Sequence, residues 1–187
     1  MAFNGQNIIP AIRNPKQLEI FLNGHCLYGV LLDAHIAQLK NLMELVNKNH
    51  KKILIHADLI QGLKGDDYST EFLCQEFKPY GIISTRTNVI TKAKQKGIVT
   101  VLRGFLIDSQ ALEKFYSIVM KVNPDYVEIL PGKMPEIVNE VLKKVNIPIL
   151  AGGFIRTPKD IELSLAAGAT AVTTSNSELW DLDYLKR

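Results

Sequence analysis

Two short stretches near the end of the chain carry the groups that a bound phosphate needs. In the first, ILAGGFIRTPKD at 149–160, an apolar run ends at two glycines, whose backbone can approach an anion closely because it has no Cβ atoms. In the second, AVTTSNSEL at 171–179, a strand-like run ends in hydroxyl and amide side chains before a short helical stretch. A small phosphorylated molecule is therefore predicted to place its phosphate against Gly152, Gly153, Ser175 and Asn176.

The elements that would position these groups alternate regularly along the chain. Eight apolar, strand-like runs are each followed by a helix-compatible segment, at 7–12, 29–33, 52–58, 81–84, 98–103, 126–130, 147–151 and 169–173. Uniformly apolar runs are typical of parallel strands that are covered on both faces. With phosphate motifs after the last two strands, the pattern predicts an α/β fold: a compact (βα)8 TIM-like barrel formed by one domain, 1–187. An open doubly wound sheet is the alternative.

Polar residues at the predicted strand ends would converge on the carboxyl-end mouth of such a barrel. A buried Arg103 requires an anion or a carboxylate, and Glu128 is the nearest strand-borne partner. His56 and Asp58 are two residues apart, so they point the same way. All four are predicted ligand contacts, although a structural hydrogen-bond pair and an interior ion pair explain them equally well. Asp33 is either a helix N-cap or a further contact.

The sequence nominates no catalytic nucleophile and no metal centre. It contains no HExxH motif and no evident Ser-His-Asp or Cys-His arrangement. Cys26 and Cys74 lack metal-ligand spacing and are expected to be buried thiols. A net charge of +3 is too small to imply nucleic-acid binding by itself. Because no signal peptide or apolar run of membrane-spanning length is present, we expect a cytoplasmic protein without a membrane partner.

A set of longer strings carries a resemblance beyond the fold. In order, the chain contains IHADLIQGLKGDD at 55–67, GIISTRTNVITKAK at 81–94, LRGFLIDSQAL at 102–112, PDYVEILPGKMPEI at 124–137, and then PILAGGFIRTPKDI and AVTTSNSELW. Together these strings closely resemble the glycerol uptake operon antiterminator regulatory protein family over almost the whole chain. The resemblance implies a regulator that is not an enzyme. Such a regulator senses glycerol 3-phosphate as its effector, uses no cofactor, binds the leader mRNA of glycerol-utilisation operons and prevents termination.

Two other functions fit the same predicted barrel. The first is a triose- or sugar-phosphate enzyme, such as an isomerase or aldolase, in which His56, Asp58 and Glu128 serve acid–base chemistry. Against it, no lysine stands at a strand end for Schiff-base chemistry, since Lys133 follows the turn. The second is a barrel that binds a flavin phosphate.

An RNA site would have to be built on the barrel itself. The sequence has no RNP string, KH-type GxxG module or arginine-rich arm. Lysines precede several strands and would surround the face opposite the mouth, and the RNA-binding candidates among them are Lys51, Lys52, Lys143 and Lys144. Lysines near helix C-termini also simply complement the helix dipole. The sequence leaves a homo-oligomer open, and it predicts a loop at 61–70 that is either a ligand-dependent switch or a plain mobile loop.

Overall fold

The computed structural model of the protein describes residues 2–182 and contains a closed barrel of eight parallel strands. The barrel strands are β1 (Ile8–Ile12), β2 (Tyr28–Leu31), β4 (Lys52–His56), β6 (Gly81–Ser84), β7 (Val99–Phe105), β8 (Tyr126–Leu130), β9 (Ile149–Gly152) and β10 (Ala171–Thr174). Each strand pairs with its neighbours along the chain, and β10 pairs with β1 to close the ring. The predicted barrel is confirmed, and the open-sheet alternative is wrong.

Seven α-helices surround the barrel in the described residues: α1 (Pro15–Asn23), α2 (Ile36–Lys48), α3 (Asp67–Phe72), α4 (Thr87–Gln95), α5 (Ser109–Val122), α6 (Pro135–Lys144) and α7 (Pro158–Ala166). Between β10 and residue 182 the chain forms a short 3-10 helix, Ser177–Leu179. Asn14, Asp108 and Thr157 each accept a backbone N–H at the N-cap of α1, α5 and α7, which fixes where these helices begin. None of the helices in residues 2–182 is long and apolar enough to cross a membrane.

Apolar side chains fill the barrel and the layer between barrel and helices. Alternate residues of the strands point inward, among them Ile9, Val30, Leu54, Ile83, Val101, Leu150 and Ala171. At the amino ends of the strands, Phe3 lies against Tyr28 and Tyr126 with ring centroids 5.3 and 4.8 Å apart. These rings cover that pole of the barrel, which we call the closed pole.

Two short strands on the mouth side change the predicted role of Asp33 and the predicted loop at 61–70. Strands β3 (Ala34–His35) and β5 (Ile60–Gln61) pair with each other, which delays the start of α2 to Ile36. Asp33 is therefore not the N-cap. His35 takes that role, and its Nδ1 accepts the Ala37 N–H at 3.1 Å.

The segment 61–70 is also more ordered than a loop. Gln61 belongs to β5, and Asp66 caps α3 by accepting the Ser69 N–H at 2.8 Å. Only the few residues between β5 and α3 lack regular structure, and Gly62 and Gly65 adopt positive φ angles of 92° and 67° there.

Candidate functional site

A fully buried carboxylate, Glu128 on β8, organises the polar side chains inside the barrel. Arg103 on β7 donates from Nε to Glu128 Oε2 at 2.6 Å, and Thr173 on β10 donates from Oγ1 to Oε1 at 2.7 Å. Arg103 and Glu128 are direct partners in the register of the two strands. The predicted ion pair is confirmed, and it fixes a guanidinium group beside the mouth. Ligand binding by either residue stays a prediction.

Gly152 makes the Thr173–Glu128 hydrogen bond possible. It lies on β9, between the two strands that carry these residues, and a Cβ at this position would lie 2.5 Å from Thr173 Oγ1 and 2.8 Å from Glu128 Oε1. Glycine is therefore required here for space, whether or not a phosphate binds. The next residue, Gly153, has a φ of 79° and lines the open cavity. Phosphate binding by both glycines stays a prediction.

His56, at the end of β4, is almost completely buried at 2% exposure. Neither of its ring nitrogens has a hydrogen-bond partner among the described residues. Its pKa is lowered from 6.5 to about 4, first by burial and then by the charge of Arg103, while Glu128 and Asp58 act in the opposite direction. The imidazole is thus neutral at pH 7, with one nitrogen that can donate and one that can accept.

Asp58 is held by the last residue of β6 and by the segment that follows it rather than by His56. Its Oδ1 accepts from Ser84 Oγ at 2.6 Å, and its Oδ2 accepts from the Thr85 N–H at 2.7 Å. Arg86 Nε lies 3.8 Å from Oδ1. Arg86 also donates from Nη1 to the carbonyl oxygen of Lys64 at 2.7 Å, which ties down the segment between β5 and α3. Asp58 is therefore a structural anchor, and its predicted ligand contact stays untested.

The segment after β10 is fixed by hydrogen bonds. Asn176 Oδ1 accepts the Glu178 N–H at 3.2 Å, so Asn176 caps the 3-10 helix, and its Nδ2 donates to the carbonyl oxygen of Arg156 at 3.2 Å. Gln17 on α1 donates from Nε2 to the carbonyl oxygen of Ser175 at 2.8 Å. The segments after β9 and β10 are thereby locked together, as a preorganised anion site requires.

These segments line one cavity of about 640 Å³ at the mouth. Of the predicted site residues, Arg103, Glu128, Gly153, Ser175 and Asn176 line it, whereas Gly152, His56 and Asp58 do not. A neighbouring cavity of about 530 Å³ is lined by Asp33 and Asp58, among others. The predicted contacts therefore fall into three groups: residues that line the main cavity, the residues Gly152 and His56 that are buried beside it, and Asp58 in the neighbouring acidic cavity.

Two arginines that were not among the predicted contacts also line the main cavity. Arg13 follows β1 directly and lines both cavities, while Arg156 lies in the segment between β9 and α7. Together with Arg103, three arginines therefore line the cavity, and among the described lining residues Glu128 is the acidic one. Arg13 was predictable from the sequence, because it directly follows the first strand and polar residues at strand ends converge on the mouth. Arg156 was not predictable in this way, because it lies four residues beyond the end of β9.

The four candidate RNA-binding lysines lie toward the closed pole, at the amino ends of strands or the C-terminal end of α6. Lys51 donates from Nζ to the carbonyl oxygen of Cys26 at 2.8 Å and to that of Gly24. Lys52 Nζ lies over the ring of Tyr28, 5.3 Å from its centroid. Lys143 and Lys144 are exposed. Two of the four thus already make intramolecular contacts, and RNA binding by all four stays a prediction.

Both cysteines are buried free thiols, as expected, and burial raises the pKa of each to about 11. Within residues 2–182, no group of three or more His, Cys, Asp or Glu side chains is placed to hold a metal ion.

Residues 8–180 match the sequence model of one family, the glycerol-3-phosphate responsive antiterminators. The chain belongs to this family. The match covers the whole barrel, including every strand end that contributes to the mouth. The family named by the resemblance in the sequence is therefore confirmed.

Individual proteins agree with this membership. The crystal structure of the glycerol uptake operon antiterminator regulatory protein from Listeria monocytogenes str. 4b F2365 is 47% identical and superposes with a TM-score of 0.95, covering 98% of this chain and 99% of that one. A glycerol uptake operon antiterminator-related protein from Thermotoga maritima MSB8 is 25% identical, with a TM-score of 0.84 over 95% and 99% of the two chains. The uncharacterized protein YgcP of Escherichia coli (strain K12) is 29% identical over 175 residues, 94% of this chain and 92% of the relative.

Proposed function

We propose that the protein senses glycerol 3-phosphate at the barrel mouth, in the cytoplasm, and in response binds the leader mRNA of glycerol-utilisation operons to prevent termination. One observation carries the ligand part of the proposal. Three arginines and the two segments after β9 and β10 surround a single cavity, so a small phosphorylated molecule meets positive charge from several directions. Family membership supports the regulatory part.

In this proposal the two ends of the ligand meet different groups. The phosphate lies against Gly153, Ser175 and Asn176, with Arg156 beside it. Gly152, which also belongs to the predicted phosphate motif, precedes Gly153 at the end of β9 and does not line the cavity itself. The glycerol hydroxyls face Arg103 and Glu128, whose carboxylate has lone pairs left after it accepts from Arg103 and Thr173. In this proposal the neutral His56 ring offers one donor and one acceptor nitrogen at the glycerol end of the ligand. Asp58 contributes its carboxylate from the neighbouring 530 Å³ cavity.

A regulator is favoured over an isomerase or aldolase by family membership. Lys133, which follows β8, forms an ion pair with Asp160, with Nζ and Oδ1 3.1 Å apart, so its amine is engaged there and not placed for Schiff-base formation. Proton NMR of glycerol 3-phosphate and triose phosphates incubated with the protein tests this point. We expect no chemical change, and turnover above background would support the enzyme instead.

Ligand identity is tested by thermal shift with glycerol, inorganic phosphate, glycerol 3-phosphate and common sugar phosphates. Glycerol 3-phosphate should raise the melting temperature more than glycerol or inorganic phosphate, because each of those supplies only one of the two groups. The sugar phosphates supply both groups, and they test whether the site prefers the three-carbon ligand. Equal stabilisation by inorganic phosphate or by sugar phosphates would contradict the assignment.

The location of the phosphate is tested by titration calorimetry of a Gly153→Asp variant. The new carboxylate should weaken binding of glycerol 3-phosphate at least about tenfold, because like charges repel in the cavity. Gly97→Asp is a matched control, since Gly97 also has a positive φ, 73°, and a Cβ there would meet nothing within 4 Å. Unchanged affinity of the Gly153 variant would place the phosphate elsewhere.

A further inference from the structure

Exposed apolar side chains gather at the mouth of the barrel. Phe105 at the end of β7, Ile107 just beyond it and Phe154 after β9 are 55%, 80% and 61% exposed. All three line the 640 Å³ cavity that holds the proposed ligand site. We call these three residues the apolar rim.

The backbone holds one rim residue in an unfavourable conformation. Phe154 has a φ of 59°, which is uncommon for a bulky side chain. Its ring is mostly exposed, so core packing does not explain why a phenylalanine occupies this position. Strain of this kind is concentrated at binding sites.

The proposed effector does not account for the rim. Glycerol 3-phosphate is small and polar, and the arginines, Glu128 and the segments after β9 and β10 already offer partners for its charged and hydroxyl groups. Contiguous exposed apolar side chains on a soluble protein usually mark the docking site of a second partner.

The charges around the rim indicate the chemistry of that partner. The guanidinium carbon of Arg156 lies 5.4 Å from the centroid of the Phe154 ring, and Arg13 lies on the same cavity. Among the described residues that line the cavity, the acidic one is Glu128, which is buried and paired with Arg103. Exposed aromatic rings beside guanidinium groups are what unpaired nucleotides require, because bases stack on the rings and phosphates bind the cations.

We propose that the apolar rim, with Arg156 and Arg13, is the surface on which unpaired bases of the leader RNA stack. This inference rests on the proposed function, and it places base contacts on the ligand face of the barrel rather than on the pole that carries Lys143 and Lys144. RNA seated on the rim would lie against the same cavity residues that surround glycerol 3-phosphate. Any factor by which glycerol 3-phosphate tightens RNA binding must therefore equal the factor by which RNA tightens glycerol 3-phosphate binding.

The test begins by selecting RNA from a random-sequence single-stranded pool on the wild-type protein with glycerol 3-phosphate. Affinity of the selected RNA is then measured by fluorescence anisotropy for a Phe105→Ala, Phe154→Ala variant. We expect a loss of about tenfold or more, because each stacked base is lost with its ring. Met120→Ala is a matched control, since Met120 is 77% exposed on α5, away from the cavity lining.

Two further variants separate the possible outcomes. Phe105→Tyr, Phe154→Tyr should keep most of the affinity, whereas Phe105→Leu, Phe154→Leu should lose it; full binding by the leucine variant would overturn stacking and favour an apolar protein partner. Calorimetry with glycerol 3-phosphate verifies that the rim variants still fold and bind the effector.

If wild-type protein selects RNA and the alanine variant binds it equally well, the rim is not the RNA surface and the proposed function stands. If wild-type protein selects no RNA, the proposed function itself fails and the inference falls with it.

Discussion

Arg103 and Glu128 form an ion pair inside the barrel, with Nε and Oε2 2.6 Å apart and side chains that are 10% and 0% exposed. Glu128→Gln should destabilise the protein by roughly 3–5 kcal/mol, because it leaves the Arg103 charge without a counter-ion. Urea unfolding measures the loss. Glu71→Gln is the control, since the Lys96–Glu71 pair is more exposed and solvent weakens it. Equal losses in the two variants would mean that the buried pair is not special.

Gly152→Ala should break the hydrogen bond between Thr173 and Glu128, because the added methyl would lie 2.5 Å from Thr173 Oγ1. We expect a loss of about 1–3 kcal/mol in the free energy of unfolding and weaker binding of glycerol 3-phosphate. A double-mutant cycle with Thr173→Ala checks the cause. If the clash with Thr173 Oγ1 is the cause, Gly152→Ala should lower the free energy of unfolding less in the Thr173→Ala background than in the wild type. Additive losses in the double variant would contradict this cause.

The stability of the protein should fall as the pH is lowered from about 6.5 toward 4. In this range His56 gains a proton in the unfolded chain but not in the folded protein, where its pKa is about 4, so protons favour unfolding. Above about pH 6.5 His56 is neutral in both states, so its titration does not change the free energy of unfolding with pH. The total loss in the free energy of unfolding, reached below about pH 4, is on the order of 3 kcal/mol.

Urea titrations at several pH values, compared between wild type and His56→Gln, isolate this contribution. The variant should lose part of the pH dependence between 6.5 and 4. His50→Asn, an exposed control at which asparagine tolerates the φ of 55°, should keep it. Identical pH profiles for wild type and His56→Gln would show that His56 carries no such shift.

The proposed lysine site is best tested without Lys51. Because Lys51 donates to two backbone carbonyls, Lys51→Glu should lower stability whatever its effect on RNA. Lys143→Glu, Lys144→Glu changes exposed residues instead. If these lysines contact RNA phosphates, this variant should bind selected RNA more weakly and with a shallower salt dependence. An unchanged salt slope would remove the closed pole as an RNA surface.

The sequence by itself determined the barrel and the family. Apolar runs with helical segments between them specify a parallel sheet, and phosphate motifs after the last two strands indicate its closure. The Arg103–Glu128 pair was also predictable, because the two residues lie on neighbouring predicted strands and a buried guanidinium needs a carboxylate. The long strings at 55–67 and 124–137 carried the family resemblance.

Only the tertiary structure decided which of these polar residues share a cavity. Gly152 makes room for the hydrogen bond between Thr173 on β10 and Glu128 on β8. Asp58 is held by the end of β6 and the residue after it. Arg13 and Arg156 line one cavity although they lie far apart in sequence. These relationships depend on strand register, ring closure and the path of each turn. They arise between strands that are distant in the sequence, and periodicity within one segment carries no information about such distances.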